Sequence, residues 1–173
     1  MLKWIGLLIL AGLAVATGLF CSDRLRTRTV QLEAARLWVL DLQGSIRYGA
    51  ATIPSILRQT ASNSAYRRLW FLSELADSCR GDQPAGEALQ RIFQKDRGFR
   101  LDNRLLRADE DILLSFTGQL GSTDRNGQIQ LCELTAQRLE RQIAEARSAY
   151  AQKGRLYMLL GIFAGIALIL FFL

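Results

Sequence analysis

Histidine is absent from the 173 residues of this chain, which also has only three cysteines and two prolines. The cysteines, Cys21, Cys79 and Cys132, are far apart and form no CxxC pair. Zinc sites and disulfide scaffolds need clustered or paired ligands, so the thiols are expected to be free in a reducing compartment. The sequence also lacks a glycine-rich phosphate loop ending in lysine and a nucleophile paired with a base. We therefore expect no cofactor, no metal and no enzymatic activity.

Charge is missing from both ends of the chain. The stretches 4–21 and 156–173 contain no charged residue, and all sixteen aspartates and glutamates lie between them. About twenty consecutive apolar residues cross the hydrocarbon core of a bilayer as a helix. The pattern predicts a transmembrane helix at 1–21, a helical domain at 22–155 and a second transmembrane helix at 156–173.

The residues beside the two predicted spans indicate their orientation. Arg24, Arg26 and Arg28 follow the first span, and Lys153 and Arg155 precede the second. Because basic residues accumulate on the cytoplasmic side of spans, the middle domain is expected to be cytoplasmic. The sequence thus predicts a two-span protein of the cell membrane.

Two features of the spans allow other interpretations. Residues 14–16 resemble the small-residue cleavage site of a signal peptide, although the arginines after the first span favour a retained anchor. Gly161 and Gly165 form a GxxxG pattern, which permits close helix packing in lipid but is also common in glycine-rich spans. These two glycines are candidate span-packing residues.

Helical periodicity dominates the middle domain, and strand patterns are almost absent. Apolar and small residues recur in steps of three and four over 25–49 and again over 129–150. Further helices are predicted at 64–79 and after Pro54 and Pro84, since proline suits the first turn of a helix. We predict an all-α, antiparallel helical bundle whose first and last helices continue unbroken into the spans.

The net charge of +6 is carried mainly by arginine. It suits nucleic acid, anionic lipid or an acidic protein partner, but basic residues beside membrane spans explain it as well. No stretch interleaves aromatic and basic residues as base-stacking surfaces do, so nucleic acid is not expected as a partner. The acidic run Asp109–Asp111 has the chemistry of a metal or acid–base site. Without histidine or a second acidic cluster, we interpret it as the negatively charged start of a helix.

A glycine-rich turn separates the last two predicted helices. Its glycines allow a left-handed backbone or a close approach of two segments, and its leucine is expected to cover the core. Its aspartate is expected to cap the last helix, with the preceding serine and threonine as alternative caps, and its glutamine to bond back across the turn. Arg125 is expected to be exposed and free for contact. The turn is either a fold determinant or a partner contact, and its candidate residues are Gly118, Leu120, Gly121, Asp124 and Gln128.

This turn also carries a family resemblance. The string 116–128 (FTGQLGSTDRNGQ) resembles a Gly-x-x-Leu-Gly-x-x-Asp-x-x-x-Gln-like motif of the stage III sporulation protein AB family of endospore-forming bacteria. The opening 1–3 before a glycine-rich span is similar to that family, as is 46–49 (IRYG) leading to Ile53-Pro54. The proline turn departs from the family pattern, with 51–54 (ATIP) in place of Thr-Pro-Leu, which affects the shape expected for that turn.

The resemblance implies a function and a set of partners. Members of this family act in the mother cell, at the outer forespore membrane, to sustain the engulfed forespore. Their helical domain is similar to the type II secretion F domain, which is the cytoplasmic domain of the inner-membrane platform proteins of type II secretion and type IV pilus systems. The implied role is a non-enzymatic platform that links a secretion-type ATPase to other stage III sporulation membrane proteins in a trans-envelope channel, with membrane lipid and further copies of the chain as additional partners. The alternative is a membrane-anchored adaptor that binds anionic lipid or nucleic acid through its arginines.

Overall fold

The computed structural model describes the backbone of residues 2–49, 52–79, 83–95, 103–154, 156, 159–163 and 166–167, and before residue 22 it describes side chains only at 13, 16, 17 and 20. Within these residues every regular element is helical and no strand occurs. The predicted all-α class is therefore confirmed.

Six α-helices follow one another along the described part of the chain. Asp109 lies in the first turn of the fifth, where its carboxylate Oδ2 accepts a hydrogen bond from the Leu106 N–H at 2.8 Å. Proline occupies the first turn of the second helix, as predicted. The helices are α1 Leu2–Tyr48, α2 Ile53–Ala61, α3 Phe71–Ser78, α4 Ala85–Lys95, α5 Arg107–Gln119 and α6 Arg125–Ala149.

The chain forms two compact units. One is Val30–Ile143, and the other combines 1–29 with 144–173. The first unit is shorter than the predicted domain 22–155, because α1 and α6 each contribute residues to both units. The candidate site lies in the unit Val30–Ile143.

Trp38 is the centre of the core of this unit. Its side chain is fully buried, and its ring meets Phe71 and Phe116 edge-on at centroid distances of 6.2 and 5.8 Å. Phe71 also packs edge-on against Phe93 at 5.4 Å. Because these four side chains come from α1, α3, α4 and α5, one aromatic cluster joins four helices.

Helices α1 and α6 run antiparallel in this unit. Arg36 pairs with Glu140 at 3.3 Å, and Gln43 Nε2 donates to the Ile129 carbonyl at 3.2 Å, so rising numbers in α1 meet falling numbers in α6. The predicted seams are buried over most of their length. Their buried members are Leu32, Ala35, Val39 and Leu42 in α1, and Cys132, Ala136, Leu139 and Ile143 in α6.

Two predicted helices are interrupted. The stretch 64–79 is not one helix, because it divides into a 3₁₀ turn at Ser64–Tyr66 and α3. The hydroxyl of buried Tyr66 donates to the Asp41 carboxylate in α1, which ties the turn to another helix. Burial, reinforced by this carboxylate, raises the pKa of Tyr66 well above its ordinary value. The last helix is also not an unbroken α-helix, since α6 is followed by a π-helical segment at Tyr150–Gly154.

The predicted spans receive no support from the residues described. Within that part of the chain, no helix combines the length and apolarity needed to cross a bilayer. The backbone of 4–21 belongs to α1, but most of its side chains lie outside the described part of the chain, as do most residues of 156–173. Of the two candidate span-packing glycines, Gly161 is buried and Gly165 lies outside the described residues.

Candidate functional site

Gly121 gives the turn between α5 and α6 its shape. Its φ is +83°, and it has the single positive φ among the described residues. A side chain is strained in this left-handed region, and an added Cβ would also lie 3.2 Å from Ile53 Cδ1. The left-handed backbone expected of this glycine-rich turn is therefore at Gly121.

The Gln128 side chain stabilises the turn through hydrogen bonds. Its side chain is buried, with Oε1 accepting from the Gly121 N–H at 3.0 Å. Its Nε2 donates to the Gln119 carbonyl at 3.1 Å and to Thr123 Oγ1 at 2.8 Å. One buried amide thus satisfies the N–H of the glycine and the carbonyl two residues before it, as backbone buried in a turn requires, and it also binds the Thr123 hydroxyl.

Asp124 is the cap of α6. Its Oδ1 accepts from the Gly127 N–H at 3.0 Å, and α6 begins at Arg125. The alternative caps have other partners, because Ser122 Oγ donates to the Gln119 carbonyl at 2.8 Å and Thr123 accepts from Gln128. A side-chain oxygen bonded to the third N–H of the helix is the usual N-cap geometry.

Gly118 takes part in a close helix contact rather than in the turn itself. It lies within α5 and faces Gly86 of α4. A Cβ built on Gly86 would meet Gly118 Cα at 2.5 Å, whereas a Cβ on Gly118 would meet nothing within 4 Å. The position that must be glycine is therefore Gly86, which the sequence analysis did not single out.

Leu120 does not cover the core as expected. Its side chain is half-buried and lines a cavity of about 270 Å³ with Ile53, Leu57, Cys79 and Pro84 among its other walls. The core beneath the turn is filled instead by Phe116, which is 1% exposed. The expectation for Leu120 was wrong because its apolar character does not reveal which way its backbone turns after α5 ends.

Arg125 is exposed but not free. Its Nε donates to the Ile46 carbonyl at 2.9 Å, and its Nη2 donates to the Gly49 carbonyl at 3.0 Å. These carbonyls belong to the end of α1, where a cation complements the helix dipole. The expectation that Arg125 is available for contact is therefore wrong.

Arg125 connects segments that are far apart in sequence. It joins the turn to the stretch 46–49, and Ile53 reaches Gly121, so three of the segments that carry the family resemblance meet at one end of the unit. Tyr48 lies in this assembly and is 85% exposed. A large aromatic side chain held outside the core on a fixed backbone is typical of a contact residue.

Replacing Arg125 with glutamate is expected to destabilise the protein. The change removes two charge-assisted hydrogen bonds and places a carboxylate at the negative end of α1, a loss of about 1–3 kcal/mol at this exposed position. Thermal unfolding of the full chain, followed by circular dichroism in detergent, measures it. The matched control is Arg138→Glu, an exposed arginine of α6. Equal melting of the two variants would contradict the assignment of Arg125 as a cap.

The other candidate chemistry is accounted for by structure. Asp109 is fully buried at the start of α5, and Glu110 accepts from Asn103 Nδ2 at 3.1 Å. No group of three metal-ligating side chains occurs among the residues described. Burial raises the pKa of the Cys79 thiol and that of Cys132, the latter to about 11, so both stay protonated near neutral pH. Both are free cysteines, as predicted, and Cys21 lies outside the described side chains.

Comparison with known proteins identifies the family. No curated protein and no solved structure matches the chain significantly. The family model of stage III sporulation protein AB matches residues 3–173. Because this match spans essentially the whole chain, the protein belongs to the stage III sporulation protein AB family, and its role lies in sporulation.

Proposed function

We propose that this protein is a non-enzymatic, membrane-anchored platform of a trans-envelope apparatus used in sporulation. It links other stage III sporulation membrane proteins to a cytoplasmic, secretion-type ATPase. The observation that carries the proposal is the end of the unit Val30–Ile143 where Arg125 bonds the end of α1 on both sides of the exposed Tyr48. The segments that resemble the family there build an ordered, exposed surface.

The geometry of this unit favours anchoring at one end and docking at the other. The pair Arg36–Glu140 places the two chain connections of the unit, Val30 and Ile143, at the same end. Tyr48 and Arg125 lie at the opposite end of the α1–α6 pair. The uncharged stretches beyond both connections supply the membrane anchors, with their basic flanks on the cytoplasmic side.

The docking surface is ordered before a partner arrives. Arg125 fixes the backbone on both sides of Tyr48, and Gln128 fixes the turn beside it. Binding to an ordered backbone loses less conformational entropy than binding to a loose one. A tyrosine adds a large contact area with only two side-chain torsions to immobilise.

Replacing Tyr48 with alanine is expected to impair sporulation and partner capture without unfolding the protein. Loss of a hot-spot aromatic weakens a complex by about 2 kcal/mol or more, roughly thirtyfold in affinity. Affinity capture of the full-length protein from sporulating cells, quantified for the ATPase and the other stage III proteins, measures the effect. Thermal unfolding should be unchanged.

Leu134→Ala is the matched control, because Leu134 is also a large exposed side chain, at 55%, but lies within α6. It is expected to leave both capture and spore yield at the level of the original protein. Normal capture and spore yield in the Tyr48→Ala variant would refute the docking surface.

A further inference from the structure

Gln31 draws two loops together at the end of the unit where the chain connections lie. The residue is 3% exposed and directly follows Val30, the first residue of the unit. Its Oε1 accepts from the Arg104 N–H at 3.0 Å, and its Nε2 donates to the Arg68 carbonyl at 3.5 Å. The loop before α3 and the loop before α5 are therefore held side by side.

These two loops concentrate positive charge. Arg67 and Arg68 lie on one, Arg104 lies on the other, and Arg107 follows that second loop as the first residue of α5. Gln31 thus gathers four arginines that we call the basic patch. Arg67, Arg68 and Arg107 are exposed and form no ion pair within the described part of the chain. Among the nearby carboxylates, Asp109 accepts from the Leu106 N–H and Glu110 accepts from Asn103, while the exposed Asp111 forms no ion pair among the residues described.

Arg107 is also poorly placed for the stability of its own helix. It is the first residue of α5, where the positive end of the helix dipole repels a cation. Its charge is better matched by an anion outside the protein.

We propose that the basic patch contacts the headgroups of anionic phospholipids in the membrane that anchors the chain. The proposal rests on the membrane anchoring of the proposed function. The patch lies at the end of the unit where Val30 and Ile143 connect to the stretches that carry the predicted anchors. Headgroups extend several Å beyond the hydrocarbon core, and surface charge acts over about a further 8 Å. Arginines near such a surface are attracted to its anionic headgroups.

Lipid is favoured over nucleic acid by the aromatic residues beside the patch. Tyr66 is buried and bonded to Asp41, and the Trp70 ring packs against Phe71 and Phe93, each at 5.9 Å. These rings are committed to the core and are not offered for base stacking, on which single-strand binding surfaces depend.

The test measures how close the patch lies to lipid headgroups in the full chain. A fluorophore is attached at Ala65→Cys in a Cys21→Ser background, since Cys79 and Cys132 are buried. The protein is reconstituted into phosphatidylcholine vesicles, with or without about one third phosphatidylglycerol, containing a headgroup-nitroxide lipid as quencher. Quenching is expected to be roughly twofold stronger, or more, in the anionic vesicles. It is expected to fall at about 1 M salt, where the Debye screening length shortens to about 3 Å.

Matched variants separate the patch from charge in general. Arg67→Gln, Arg68→Gln and Arg107→Gln together are expected to abolish the extra quenching. Three other exposed arginines, changed together in Arg47→Gln, Arg58→Gln and Arg138→Gln, remove the same charge and are expected to preserve it. Equal loss in both sets would overturn the assignment of the patch. So would capture of a single-stranded oligonucleotide that only the patch variant loses.

A second label distinguishes failure of this proposal from failure of the anchoring. A fluorophore at Ala16→Cys, within the first predicted span, is expected to be quenched by acyl-chain nitroxide in both kinds of vesicle. Quenching at Ala16 with no lipid dependence at Ala65 refutes the basic patch alone. An unquenched Ala16 label refutes the anchoring and the lipid contact with it.

Discussion

Replacing Trp38 with alanine is expected to lower the free energy of unfolding by about 3–5 kcal/mol, the usual cost of removing a large aromatic residue from a core. The side chain is fully buried and touches Phe71 and Phe116, which belong to two other helices. No single neighbour can collapse into the space that it leaves. Thermal or denaturant unfolding of the full chain in detergent, monitored by circular dichroism, measures the loss.

Two companion variants test the explanation. The neighbouring Leu37 is 47% exposed, so Leu37→Ala is expected to cost about 1 kcal/mol or less. The Trp38 Nε1 is buried with no hydrogen-bond partner in the described part of the chain, so the ring contacts and not a hydrogen bond are what alanine removes. Trp38→Phe should accordingly recover most of the lost stability. A Trp38→Ala cost no larger than that of Leu37→Ala would show that the aromatic cluster does not organise the core.

Adding one methyl group at Gly86 is expected to destabilise the protein by about 1–3 kcal/mol, the range for overpacking a tight contact. The new Cβ of Gly86→Ala would lie 2.5 Å from Gly118 Cα and 2.9 Å from Gly118 N. Both are backbone atoms, so neither can rotate away, and α4 must move from α5. Circular dichroism melting of the full chain is the measurement.

The opposite member of the same contact provides the control. Gly118→Ala adds its methyl group to open space on α5, where alanine is the better helix former. This variant is expected to melt within about 0.5 kcal/mol of the original protein, on the stabilising side. If Gly86→Ala melted like Gly118→Ala, the close approach of α4 to α5 would be wrong.

Local and periodic features of the structure could be predicted from the sequence. The seams of α1 and α6, Pro54 in the first turn of α2, and the cap at Asp124 all depend on neighbours within one or two helical turns. The left-handed glycine and the bond from Gln128 across the turn are similarly local. Such features follow from residue type and spacing, because the interacting groups are fixed relative to one another by the helix itself.

Features that depend on distant partners could not be predicted. The break between Tyr66 and Phe71 has no glycine or proline to mark it, and the bond beside it, from Tyr66 to Asp41, joins residues 25 positions apart. Nothing in the sequence around Gly86 shows that another glycine crosses it, and nothing around Arg125 shows that it reaches the end of α1. Gln31 likewise reveals its role only when the two arginine-bearing loops meet at it.

The π-helical segment after α6 changes which residues continue the line of buried positions that runs along α6. Buried positions up to Ala146 are spaced by three and four, but the next buried position among the described residues is Gly154, eight residues later, followed by Gly161 after seven. A regular spacing of seven would have led from Ala146 to Lys153. The π-helical turn holds one more residue than an α-helical turn. Lys153 therefore stays exposed, and Gly154 and Gly161 occupy the buried positions instead. Deleting a single residue between 150 and 153 would thus let a regular α-helix carry Ala146, Gly154 and Gly161 in that line without the π-helical turn.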